Sequence, residues 1–191
     1  MKKVKKELTD LLSKIKEETF YGEEEKSIHP NTDMTFEYSP GRFCIRNKNH
    51  SLPNDSFMEL EFSEGYKISA YKEKNAFTGE IKDYDSKGIK DINKYGIIDN
   101  FIRRDPRYVL ANSKDHKKTA EGTYTMTVWD KAAKELINLS KDTEGTMVNI
   151  MQSAEMYVED NRLKRMIVKN NFLKKSGTVQ KTFTDIIFRY E

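Results

Sequence analysis

Val4, Leu8, Leu11, Leu12 and Ile15 recur at helical spacing, with Lys, Glu and Asp between them. The pattern predicts an amphipathic helix over residues 3–19. Residues 21–33, YGEEEKSIHPNTD, have no period and contain a Pro, so they read as a linker. Beyond them the period shortens to two. Met34–Tyr38 and Arg42–Arg46 flank the turn tripeptide Ser39-Pro40-Gly41. FMELEF (57–62) and YKISAY (66–71) flank Ser63-Glu64-Gly65, predicting a second hairpin. Its apolar face is expected to carry Phe57 or Met58, with their alternate partners, against Tyr66, Ile68 and Ala70. From Lys72 to Lys94, Gly79 and Gly88 punctuate a charged segment that reads as a long β-ribbon loop or a short helix. Ile97–Ile102 is apolar enough to be buried, and Asp105-Pro106 ends that element. Arg107–Ala111 then reads as extended, and 112–122 as a polar loop.

The segment from Thr123 to Phe172 is the most ordered part of the pattern. TYTMTVW places Tyr124, Met126 and Val128 on one strand face and the threonines with Trp129 on the other. Asp130 is suited to cap a short helix carrying Ala132, Ala133, Leu136, Ile137 and Leu139, with Glu144-Gly145 at its end. Two alternating runs then flank Glu159-Asp160-Asn161 as a hairpin, and Thr178–Tyr190 reads as a last strand. The expected class is β-rich α+β. The helix occupies 1–20, a β-hairpin extension 21–95 and the core 96–191.

Composition narrows the chemistry. Lys and Arg number 34 against 31 Asp and Glu, a formal charge of +3. The excess lies in residues 96–191, with 17 basic against 13 acidic side chains, which permits a polyanionic partner. Cys44 is the only cysteine, so no disulfide within the chain and no Cys-based zinc site is expected. No apolar run approaches the roughly 18 residues of a membrane span or the ~7–15 of an export core. A soluble, cytoplasmic protein without membrane association is therefore expected. His29, His50 and His116 are far apart, and no phosphate-binding glycine motif occurs. Glu23-Glu24-Glu25 and Asp83/Asp85 read as solvated acidic faces. No catalytic residue, metal site or cofactor is expected, and the chain reads as a non-enzyme.

Val128-Trp129, Ala132-Ala133-Lys134, Glu144-Gly145, Val148, Tyr157 and Ile167-Val168 follow a strand, helix, strand, hairpin order. Upstream, GIIDNFIRRDPRYV (96–109) supplies a strand-like run ending in basic residues and Asp-Pro. Over roughly residues 96–173 the chain resembles the bacterial and phage single-stranded-DNA-binding protein family. The resemblance implies an OB-like five-stranded barrel, here with an N-terminal amphipathic helix and extra β-hairpins. It also implies sequence-independent binding of single-stranded DNA during replication or recombination of a phage or plasmid.

Such binding needs cations against phosphate and flat side chains on which bases stack. The candidates are Arg103, Arg104, Arg107 and Tyr108; Trp129 and Lys131; and Tyr157, Lys164, Arg165, Lys169 and Phe172. Trp129 reads equally as a core residue. A homo-oligomer fits the apolar stripe of the N-terminal helix. The alternative is a phage-type protein that binds and inhibits a host protein through its β-rich surface.

Overall fold

Alternating apolar residues build most of the chain into strands. A computed structural model describes residues 2–25, 32–50, 54–85, 87–89, 101–130, 148–174 and 176–190, with the backbone alone at 129–130 and 148–149. The strands are β1 (Phe20–Glu24), β2 (Thr32–Ser39), β3 (Arg42–Asn49), β4 (Ser56–Ser63), β5 (Lys67–Lys74) and β6 (Ile81–Asp83). They continue with β7 (Lys114–Ala120), β8 (Thr123–Asp130), β9 (Val148–Glu159), β10 (Arg162–Leu173) and β11 (Val179–Tyr190). Helix α1 spans Lys2–Glu17 and α2 spans Pro106–Asn112.

The hydrogen-bonded order is β6-β5-β4-β3-β2-β1-β11-β10-β9-β8-β7. It is open, with β6 and β7 at its ends and no closing pair among the described residues. The β-rich α+β class holds; the five-stranded OB-like barrel does not. A closed barrel joins its terminal strands, whereas here the short β1 bonds β2 on one side and β11 on the other.

The chain divides into two compact units. One comprises Leu12–Tyr108 with Ile186–Glu191. Its core is aromatic: Phe20 stacks on Tyr38 at 4.5 Å between ring centres, Tyr38 on Phe43 at 5.0 Å and Phe43 on Phe62 at 5.6 Å. Ile15, Ile45, Leu60 and Ile186 fill the gaps and are fully buried. Gly22 lets β1 enter this cluster, because a Cβ there would lie 3.1–3.2 Å from Ile186, Phe188 and Tyr38. The other unit comprises Met1–Leu11 with Val109–Asp185. Leu8, Leu11, Tyr124, Met126, Val128, Ala154, Met156, Leu163, Met166 and Val168 are buried in it.

Several local expectations need correction. Phe20–Glu24, read as the start of a linker, is a strand whose glutamates face outward while Phe20 and Gly22 are buried. Residues 107–111, read as extended, form α2. Asp105 caps it by accepting the Arg107 backbone N–H at 2.8 Å, and Pro106 is suited to the first helical position. The first strand implied for 96–109 is therefore not a strand at 106–109. Residues 114–120 are not a polar loop but β7, which pairs with β8 through an irregular register. In the β4–β5 hairpin a bulge after Glu61 puts both Ile68 and Tyr71 opposite apolar β4 residues, Phe62 and Leu60. Ala70 is accordingly exposed. The helix expected after Asp130, Glu144-Gly145 and the run 97–100 lie outside the described residues.

Candidate nucleic-acid interface

The β9–β10 hairpin arises from two alternating runs joined by Asp160-Asn161, which adopt φ of 51° and 56°. Both values lie in the left-handed region that a tight hairpin turn requires and that Asp and Asn tolerate. Alternation buries Met156 and Ala154 of β9 with Met166 and Val168 of β10. It turns Tyr157, Glu155 and Ser153 outward against Arg165, Ile167 and Lys169, which are their register partners. Thr123, Thr125 and Thr127 of β8 continue the same rows. A register shift between Leu163 and Arg165 leaves Lys164 outside the ladder.

On this outward face the charges are ordered. The Arg165 guanidinium forks onto Asp185, its Nε donating to Oδ1 at 2.8 Å and its terminal nitrogen to Oδ2 at 2.5 Å. It also lies 5.5 Å from the centre of the Tyr157 ring. The Tyr157 hydroxyl donates to Glu155 at 2.8 Å, and Lys169 Nζ donates to the other Glu155 oxygen at 2.8 Å. Lys169, then Tyr157, holds the Glu155 carboxyl below the usual range, while Glu155 raises the Tyr157 phenol. Neither group changes charge near neutral pH.

Strand alternation puts Phe183 and Lys181 on the same side of β11 as Asp185. Phe183 is 54% exposed and Lys181 is exposed. Both were missed in the sequence reading, although the 181–183–185 alternation was available as a signal. At the turn end, Glu121, Glu159 and Asp160 line a groove of about 620 Å³ with Tyr157 and Lys164. That end is acidic, so the cationic part of the face lies toward Lys169 and Lys181.

The hairpin thus brings together Tyr157, Lys164, Arg165 and Lys169. Phe172 is half-buried further along β10, opposite Asn149. Trp129 pairs through its backbone with Gln152. Its side chain, and Lys131, lie outside the described residues.

Arg103, Arg104, Arg107 and Tyr108 belong to the other unit, at the start of α2. There Arg107 serves the fold. It is paired with the fully buried Asp105 at 2.8 Å and donates to the carbonyls of Ser39 at 2.7 Å and Arg42 at 2.9 Å. Burial opposes its charge, but the Asp105 carboxylate more than offsets this and raises its pKa. Arg104 lies with its guanidinium 5.5 Å from the Phe101 ring, and its carbonyl accepts from the Tyr38 hydroxyl at 3.1 Å. Burial lowers its pKa. Tyr108 meets Tyr66 edge-on at 5.4 Å.

Elsewhere in that unit a groove of about 320 Å³ exposes arginines that are each matched by an acid. Arg42 bridges Glu37 and Glu61, Arg46 pairs with Glu59, and Arg189 with Glu23. Cys44 beneath them is pushed up to about 11, first by burial and then by Glu59, so it is a thiol at neutral pH. Among the described residues no three His, Cys, Asp or Glu side chains gather as a metal site, and no helix is long and apolar enough to cross a membrane. No protein-family model matches this chain, and no curated protein matches it by sequence.

Proposed function

We propose that the outward face of β9–β11 binds single-stranded nucleic acid without strong sequence preference. The observation that carries this reading is the presence of two outward aromatic rings, Tyr157 and Phe183, on the strands that also present Arg165, Lys169 and Lys181. Open sheet faces suit unpaired bases because outward aromatics offer stacking planes while neighbouring cations meet the phosphates. Each stacked base is worth about 1–3 kcal/mol, so two rings outweigh a net charge of +3. Holding Arg165 against Asp185 and over Tyr157 pre-orients a guanidinium whose plane can also stack. Arg107 has no part in this binding, because its donors are consumed inside the fold.

The test is fluorescence anisotropy with a labelled oligonucleotide of about 20 nucleotides, long enough to span one binding face. Binding at micromolar protein in low salt is expected. Tyr157→Ala and Phe183→Ala should each weaken it roughly five- to a hundredfold. Absence of binding at micromolar protein in low salt removes this reading. Unchanged affinity in both variants moves the site elsewhere.

A further inference from the structure

The edge strand β6 and the turn before it form a surface that the nucleic-acid reading does not use. Residues 75–80 are tightly wired. The Asn75 side chain accepts the backbone N–H groups of Phe77 at 2.8 Å and Thr78 at 3.1 Å, and Gly79 N–H donates to the Asn75 carbonyl at 2.9 Å. The Asn54 amide holds the outer side of the turn through the carbonyls of Ala76 at 3.1 Å and Phe77 at 3.3 Å. At the tip of this fixed turn Phe77 is 76% exposed, and Ile81, four residues on, is 54% exposed. A large apolar ring held rigidly in water has already lost the freedom that binding would otherwise remove.

The backbone of β6 specifies the shape of what could cover them. Tyr84 N–H donates to the Tyr71 carbonyl at 3.0 Å, and Asn75 N–H to the Glu80 carbonyl at 2.9 Å. With Lys82 opposite Glu73, even-numbered residues therefore face β5, and the N–H and C=O groups of Ile81 and Asp83 point away from the sheet. β7, the other end of the strand order, carries Lys114, Lys117 and Lys118, a guard against strand addition. β6 presents an isoleucine instead. Self-pairing of two copies about Lys82 would oppose like charges.

We infer that β6 is a docking edge for an extended segment of a partner protein. The segment has apolar residues on the Ile81 side and an acidic residue opposite Lys82. It adds as a strand, with Phe77 as its apolar anchor. This uses residues distinct from Tyr157 and Phe183, so the two proposals fail independently.

The probe is a labelled peptide of about seven residues alternating valine and glutamate, long enough to match a typical strand. It is titrated into the full chain and compared with the valine–lysine peptide. The acidic peptide should shift the Ile81 and Asp83 amide resonances and bind about tenfold tighter than the basic one. Asp83→Pro removes only an outward N–H, and Phe77→Ser removes the anchor; each should weaken binding about tenfold. Lys82→Glu should reverse the preference between peptides. Equal binding of both peptides, no effect of Lys82→Glu, or a β6-dependent dimer in sedimentation would overturn the inference.

Discussion

Asp105 joins two tasks at one carboxylate. It caps α2 and neutralises Arg107, whose guanidinium in turn ties that helix to the β2–β3 turn. The Tyr66 phenol also hydrogen-bonds Asp105, and burial followed by this charge raises its pKa. Removing one partner of a buried ion pair leaves the other uncompensated, so Asp105→Ala should cost about 3–5 kcal/mol in urea unfolding. Arg107→Met should destabilise too, yet leave oligonucleotide affinity per folded molecule unchanged. The Asp-Pro pair was visible in the sequence as a boundary. That Arg107 is consumed internally was not, because Ser39 and Arg42 are distant in the chain. His50 offers a residue-level pH test. The hydrogen bond with Asp33, and then that with Asp55, raises its pKa. Its contribution is therefore present below the ordinary histidine value and lost as pH rises through the raised one. Compared with His50→Gln, the native chain should gain urea stability at about pH 5.5 and lose that gain by about pH 8.5.

Elements whose amphipathic pattern is local were legible. The α1 stripe buries Leu8, Leu11 and Ile15 as its spacing required. Both predicted hairpins, at Ser39–Arg42 and Glu159–Arg162, appear where turn residues interrupt alternation. The β4–β5 face was misread because a bulge changes the phase of burial without a mark in composition. β1 was missed because its strand is specified by neighbours on either side rather than by its own glutamates. The turn between β7 and β8 gives a sharper element-level test. Gly122 has φ of 67°, and a Cβ there would stand 2.2 Å from the Val158 carbonyl oxygen. Gly122→Ala should therefore destabilise by about 2 kcal/mol or more in thermal unfolding, through strain and steric clash. In the β9–β10 turn, Asn161→Gly should be nearly neutral, whereas Asn161→Val should cost about 1–2 kcal/mol because a β-branched residue resists positive φ.

At the scale of the molecule, a charge of +3 with many internal ion pairs limits how strongly a polyanion can be held. If Arg165, Lys169 and Lys181 each meet one phosphate, the logarithm of affinity should fall with the logarithm of salt with a slope of about −2. Titration at several salt concentrations reads that slope directly. A value near zero would indicate that phosphates are not engaged. Alternation and turn chemistry were sufficient to specify a β-rich chain with one amphipathic N-terminal helix, since each depends on side chains a few residues apart. They could not specify an open order of eleven strands, because β1 finds β11 across almost the whole chain. Nor could they show which cations remain at a surface. Arg107 and Arg165 look alike in sequence, but one faces a buried aspartate beneath a turn and the other lies over a tyrosine on an outward sheet face. That difference follows from long-range register, which determines each side chain's neighbours only when distant strands meet.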